Sequence, residues 1–121
     1  MLDVSNLKVS YGQSEVIHGL DFSVKKNETL AIMGRNGMGK TTLFKSLIGV
    51  LPLSDGSISV DNVDVTHNES YQRVENGIAY VPQGRMIFPS LTVQENIETG
   101  MEVSKLKKIP DDIYALFPVL H

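Results

Sequence analysis

The stretch from Gly34 to Thr42 combines residue types and spacing that can bind phosphate. It reads Gly34-Arg35-Asn36-Gly37-Met38-Gly39-Lys40-Thr41-Thr42 and fits the pattern G-x-x-x-x-G-K-[ST] at every fixed position. Glycine allows positive φ and close approach of the backbone, so successive N–H groups can surround phosphate oxygens. We therefore predict a phosphate site formed by this whole stretch, with positive φ at Gly34, Gly37 and Gly39.

The side chains that close the pattern supply charge and hydroxyl groups. Lys40 carries a mobile ammonium suited to the β- and γ-phosphates of a nucleotide. Thr41 is the expected Mg²⁺ ligand, with waters and phosphate oxygens completing the shell. Thr42 adds a hydroxyl near the α/β-phosphates. The alternative is a chance glycine loop in front of a helix.

The elements around the loop favour the phosphate interpretation. The apolar run Thr29–Met33 predicts a buried strand before the loop, and Thr41–Gly49 predicts a helix after it. The apolar face of that helix consists of Leu43, Phe44, Leu47 and Ile48. A strand, a glycine-rich loop and a helix N-terminus together form an anion site.

The remaining patterns predict a β layer first, then buried strands with helices, then helices alone. Leu2 to Val9 predicts a strand with a break near Asn6, and Leu20–Lys25 alternates as a half-buried antiparallel strand. Further predicted elements are a left-handed Asn27, a Ser57–Val65 hairpin turning at Asp61-Asn62, a Glu69–Asn76 helix capped by Gly77, a buried Ile78–Val81 strand, a helix begun by the Thr92–Glu95 capping box, and a Pro110–Phe117 helix.

Composition narrows the classes of function. The 121 residues carry a net charge of −3 with no basic block, which argues against a nucleic-acid partner. The chain has no cysteine, and its three histidines lack metal-ligand spacing. Neither a signal peptide nor an apolar run of about 18 residues is present, so we expect a cytoplasmic protein.

The order of these motifs resembles the nucleotide-binding domain of ATP-binding cassette (ABC) transporters over essentially the whole chain. The resemblance implies ATP and Mg²⁺ as cofactors. It implies that the ring of Tyr11 stacks on adenine, with Val16 beside the base, although Tyr11 could instead be a surface aromatic at a strand end. Val81-Pro82-Gln83 resembles the family's glutamine loop, in which Gln83 ligates Mg²⁺ or positions the attacking water.

The segment after Gln83 has an implied partner. In the family, this region receives the coupling helix of the transmembrane permease, here the segment from Arg85 to Leu91. Met86, Ile87 and Phe88 are unusually apolar for a loop, which fits a contact surface, and local core is the alternative. A second ATPase subunit, as homodimer or heterodimer, is the other implied partner of the full-length protein.

The amino-acid sequences of the phosphate loop and of Tyr80–Val93 are similar to those of ATPase subunits of branched-chain amino acid and urea importers, with the urea type nearest. The sequence departs from the family because it contains no L-S-G-G-Q signature, no second acidic strand motif with a catalytic Glu, and no switch His. It is therefore expected to be the N-terminal half of an ABC ATPase, without catalytic residues of its own. Asn27 and Asn62 replace usual glycines, which is mild because Asn tolerates αL.

The predicted fold class is α/β, a P-loop NTPase core with an antiparallel β layer and the start of a helical subdomain. One incomplete domain spans residues 1–121, with the β layer and core over about 1–90 and the helical part over about 91–121. The predicted function is the ATP-binding part of an importer of a small solute, urea or branched-chain amino acids, held at the inner membrane face by the permease. The alternative is a half-domain that binds nucleotide without hydrolysis or serves as an interaction module.

Overall fold

A computed structural model describes residues 1–84 and 86–121. The chain divides into two compact units, Met1–Tyr80 and Val81–His121. Each unit is described by itself. The predicted boundary near residue 90, between the core and the helical subdomain, is not tested by these two units and stays a prediction.

The first unit is built on an antiparallel sheet of four strands in the order β2-β1-β3-β4. The strands are β1 (Leu2–Tyr11), β2 (Ser14–Val24), β3 (Asp55–Val60) and β4 (Val63–Asp64). The β3–β4 hairpin turns at Asp61 and Asn62 with φ of 47° and 65°, as predicted for residue types that tolerate the left-handed region. Asn27, at φ 63°, confirms the predicted left-handed turn after β2.

Bulges interrupt the pairing of β1 with β2. Val4 opposes Phe22 and Leu7 opposes Leu20, so β1 carries one extra residue at the predicted break, where Asn6 has φ 47°. Two further bulges lie on β2, where Gly19 and Val16 are the extra residues. Bulges bend a strand and change the direction of its side chains, so they affect which side chains of β2 face the glycine-rich loop.

The core of the first unit joins this sheet to the helix that follows the glycine-rich loop. That helix, α1, spans Lys40–Leu47, close to the predicted Thr41–Gly49. The buried cluster consists of Val4, Leu7, Val9, Ile17, Leu43, Leu47, Ile58 and Val65. The predicted helix face is therefore half right, since Leu43 and Leu47 are buried whereas Phe44 is exposed.

Two predicted buried strands do not form. Thr29–Met33 and Ile78–Val81 contain no strand residue, and neither run takes part in the sheet. Met33 and Val81 are each 91% exposed. Within these two runs, only Ile32 and Ile78 pack against the core. Apolar residues therefore bring each run to the core, although neither has a strand partner in the sheet.

The second helix of the first unit confirms its prediction. Helix α2 spans Ser70–Glu75, begins with a capping box between Glu69 and Gln72, and is followed by Gly77 at φ 100°. The amide of Gly77 donates to the carbonyl of Val74 at 3.0 Å, as expected for a glycine just beyond a helix end.

The second unit is made of short helices. Helix α3 spans Val93–Thr99 and begins with the predicted capping box, in which Glu95 Oε2 accepts from the amide of Thr92 at 2.7 Å. Helix α4 spans Asp111–Leu116 and is followed by a 3₁₀ turn at Pro118–Leu120. None of the helices over residues 1–84 and 86–121 is long and apolar enough to cross a membrane.

Candidate phosphate-binding site

The backbone of the glycine-rich loop has the curvature that its sequence requires at two of three glycines. Gly37 and Gly39 have φ of 80° and 91°, which a side chain would oppose. Gly34 does not have positive φ, so that part of the prediction was wrong. An added Cβ at Gly34 would lie 4.0 Å from Nζ of Lys40, an ordinary van der Waals contact, so space does not require glycine there either.

The start of helix α1 is open to an anion. Gly39 is the N-cap and supplies no side chain, and the first turn holds no acidic residue. The amide of Leu43 donates to the carbonyl of Gly39 at 2.8 Å, so the amides before Leu43 are the ones that the helix leaves without a partner at this end. Unpaired amides and the positive end of the helix dipole together favour a phosphate.

The ammonium group of Lys40 folds back over the loop. Its Nζ donates to the carbonyl of Gly34 and, at 3.0 Å, to the carbonyl of Arg35. The loop itself is tightened by a turn in which the amide of Met38 donates to the carbonyl of Arg35 at 3.2 Å. The lysine therefore sits at the mouth of the loop, where it can exchange carbonyl partners for phosphate oxygens.

The other residues of the predicted stretch remain accessible. Thr41 is exposed and Thr42 half-buried on the first turn of α1. Arg35, Asn36 and Met38 are exposed, and Met38 keeps 72% of its accessible surface. A loop with exposed backbone and hydroxyl groups can receive a ligand from solvent.

The sheet brings Val16 to the loop. An added Cβ on Gly39 would lie 3.4 Å from Cγ1 of Val16. Val16 is the extra residue of one of the two β2 bulges, since Val9 opposes Ile17 whereas Ser10 opposes Glu15. The bulge accounts for a half-buried valine turned to the loop inside a strand, and it places one predicted base contact beside the predicted phosphate contacts.

Tyr11 ends β1, opposite Ser14, and is 49% exposed. Both the adenine platform and the surface aromatic remain compatible with that position. Its proposed role therefore depends on the residues around the loop and stays a prediction.

Gln83 and the predicted permease segment belong to the second unit. Gln83 is exposed, and its proposed role toward Mg²⁺ stays a prediction. Arg85 lies outside the described residues. Met86, Ile87 and Phe88 are 73%, 67% and 56% exposed, so they are not core residues within the part of the chain that the structure describes.

One buried residue that binds the far end of helix α1 was not predicted by any sequence pattern. Arg73 on α2 is 3% exposed, and its guanidinium donates to the carbonyls of Ser46, Leu47 and two further residues. Burial lowers the pKa of Arg73 from its ordinary value, although an arginine stays protonated in proteins. An arginine on a short polar helix suggests a solvated side chain, so sequence reasoning missed it.

The family model described as "ABC transporter" matches residues 17–117. The ribose import ATP-binding protein RbsA of Oceanobacillus iheyensis is 39% identical over 84% of this chain and 20% of its own length. The probable branched-chain amino acid transport ATP-binding protein LivF of Archaeoglobus fulgidus is 32% identical over 95% of this chain and 49% of its own.

A solved structure of the ATP-binding subunit of an ABC transporter superposes with a TM-score of 0.78 at 27% identity, covering 99% of this chain and 49% of that one. The chain thus spans 20% to 49% of these three proteins. The matched residues include β2 from Ile17 onward, the glycine-rich loop and helix α1, and Val16 lies just before them. The chain belongs to the ABC transporter family, and its fold is part of an ABC ATPase cassette.

Proposed function

We propose that this chain is the ATP-binding part of an ABC importer and that its phosphate site is the loop Gly34–Thr42. The observation that carries the proposal is the open N-terminus of α1, with left-handed Gly37 and Gly39 before it and no acidic residue in its first turn. That arrangement suits the polyphosphate of ATP.

The residues present fit MgATP in kind. Backbone amides of the loop would bind the phosphates, and Lys40 would leave the Gly34 and Arg35 carbonyls to contact the β- and γ-phosphates. Thr41 would hold Mg²⁺, which neutralises phosphate charge. For Gln83 the family resemblance alone supports a role, either as a ligand of Mg²⁺ or in positioning the attacking water. Val16 would pack against the base, with Tyr11 as its stacking platform.

Nucleotide binding by the purified chain tests this assignment directly. A fluorescent ATP analogue with Mg²⁺ is titrated against the wild type, Lys40→Ala and Lys45→Ala. Lys45 lies in the last turn of the same helix, so its substitution is a matched control for charge and helix propensity. We expect Lys40→Ala to bind at least about tenfold more weakly, because it removes a charge-assisted contact, and Lys45→Ala to bind as the wild type. Equal affinity in all three would refute the phosphate site.

Hydrolysis requires groups that this sequence does not contain. The sequence has no L-S-G-G-Q motif and no acidic strand motif with a catalytic Glu. We propose that the full-length parent is an ATPase whose two cassettes close on ATP and move the permease, and that this chain alone hydrolyses ATP negligibly. Phosphate release that Lys40→Ala abolishes would contradict the second statement.

The proposed permease contact is the segment Arg85–Leu91, and its support is the exposed apolar trio Met86, Ile87 and Phe88. Pull-downs with permeases of the urea and the branched-chain amino acid types would test both partner and solute. Phe88→Asp should abolish capture, whereas Val119→Asp, at a 90% exposed position of the same unit, should not. Through such a permease the chain would lie at the cytoplasmic membrane face.

The solute is proposed as urea or branched-chain amino acids. Similarity to LivF supports the second, and similarity to RbsA shows that related cassettes are also named for ribose. Because the solute is bound by other subunits in the family, capture by only one class of permease is the deciding result.

A second candidate function is a non-hydrolysing nucleotide-binding or interaction module. It is favoured by the apolar runs Thr29–Met33 and Ile78–Val81, which lack strand partners in the sheet. Such runs can pair with another chain. Light scattering that shows a clean monomer at high concentration would count against it.

A further inference from the structure

We propose that Arg73 is a positioning residue for the phosphate loop, acting through the carboxyl end of helix α1. This inference rests on the proposed nucleotide site, because it concerns how that site is held. The side chain of Arg73 forms no hydrogen bond with any described residue of the loop. It binds the carboxyl end of α1, whereas the loop leads into the amino end of the same helix.

The hydrogen bonds that the guanidinium of Arg73 donates all go to backbone carbonyls. Nη1 donates to Ser46 O and Leu47 O, both at 2.8 Å, and these are the last residues of α1. Nη2 donates to Thr66 O at 2.9 Å, and Nε donates to Asn68 O at 3.0 Å. Four bonds from one planar group fix the end of α1 against the segment that connects β4 to α2.

The end of α1 is built around this contact. The amide of Val50 donates to Lys45 O at 2.9 Å, and the amide of Gly49 donates to Ser46 O at 3.2 Å, which forms a Schellman motif. An added Cβ on Gly49 would lie 3.0 Å from Nε of Arg73, so the glycine leaves the guanidinium its space. A buried cation at this end also complements the helix dipole, whose other end faces the phosphate site.

Two parts of the first unit support the loop. Val16 of β2 lies beside Gly39, and helix α1 is held by the burial of Leu43 and Leu47 and by Arg73. The run before the loop, Thr29–Met33, pairs with no strand of the sheet. Arg73 therefore acts on the loop through α1. The backbone carbonyl of Arg73 also accepts from the amide of Ile78 at 3.0 Å, so the same residue holds the second unpaired run.

The experiment compares nucleotide affinity at matched stability. Arg73→Met keeps the length of the stem and removes all five donors, and Arg73→Lys keeps the charge. Gly56→Ala destabilises the contact between β3 and β1, outside the buried cluster that packs α1. Unfolding curves set the temperature at which each variant is fully folded. Affinity for the fluorescent ATP analogue and the NMR signals of the Gly37 and Gly39 amides are then measured.

We expect Arg73→Met to bind about tenfold more weakly and to shift both glycine signals, Arg73→Lys to lie between it and the wild type, and Gly56→Ala to change neither. Arg73→Met that binds like Gly56→Ala overturns the proposal. If Arg73→Met does not fold, Arg73→Lys decides in the same way. If the wild type binds no nucleotide, the proposed function fails, and the two glycine signals alone decide whether Arg73 positions the loop.

Discussion

The antiparallel sheet and the apolar runs Thr29–Met33 and Ile78–Val81 were both predicted to contain strands, and only the sheet does. Strand β1 pairs with β2 and β3 on its two sides, and its apolar residues Leu7 and Val9 are almost fully buried. The run Thr29–Met33 is more apolar than β1, yet it forms no strand, and Leu30 is 45% exposed.

The difference shows that an apolar run becomes a strand only where partners are available. β1 finds both partners within residues 14–60. Residues 29–33 and 78–81 find none in the sheet, and an unpaired strand would leave backbone groups without hydrogen bonds. Local sequence therefore specifies the sheet, whereas these runs depend on pairing from elsewhere.

Amide hydrogen exchange is the sharpest test of this contrast and should give the largest effect. Amides of β1 that bond to β2 or β3 should exchange at least about a thousandfold more slowly than those of residues 29–33, because strand opening requires the core to open. The measurement is residue-resolved exchange by NMR. Slow exchange throughout residues 29–33 would show that the run is paired in solution, for example between two copies, and would break the comparison.

Core truncation should separate the same two regions in stability. Leu7→Ala deletes a side chain with 0% exposure and should lower the free energy of unfolding by about 2–5 kcal/mol. Leu30→Ala makes the same chemical change at a half-exposed position and should cost within about 0.5 kcal/mol. Urea denaturation of both variants checks the pair, and equal losses would mean that Leu30 is buried in solution.

Sequence patterns predicted what depends on near neighbours. The Asp61-Asn62 turn, the Thr92–Glu95 capping box and the glycine conformations at Gly37 and Gly39 follow from short-range chemistry, and the structure has them. Pairing of 29–33 could not be judged from the run itself, because periodicity reports burial and not the presence of a partner.

The candidate site was predictable to the same extent. The loop pattern identified its own residues, and the family resemblance identified Val16, which a bulge places against Gly39. Arg73 was missed because its partners are carbonyls 5 to 27 residues away, and backbone acceptors leave no trace in a side-chain pattern. Polar residues buried by long-range contacts are where such reasoning fails.

Two glycines test whether close strand contact, and not only φ, specifies the sheet. An added Cβ on Gly56, at φ 95°, would lie 2.4 Å from the carbonyl oxygen of Asn6 in β1. Gly56→Ala should cost about 3 kcal/mol, since it adds a backbone clash to the conformational strain. Gly77→Ala, at φ 100° with open space around it, should cost about 1–2 kcal/mol. Equal losses in thermal unfolding would assign the whole effect to φ.

The smallest expected effect is a pH dependence of the unfolding free energy that comes from Asp55, the residue before Gly56. The backbone amide of Gly56, followed by Lys8, holds the pKa of the exposed Asp55 carboxyl below its ordinary value. A carboxyl with a lowered folded pKa stabilises the fold fully above its ordinary value, and the contribution is lost as pH falls through the folded value. The stability difference between wild type and Asp55→Asn should therefore shrink on acidification. Lys8→Met should weaken this dependence without abolishing it, because the amide of Gly56, the largest single cause, remains. Urea unfolding across acidic pH measures it, and a difference that is constant with pH would remove Asp55 from the interactions that specify the sheet.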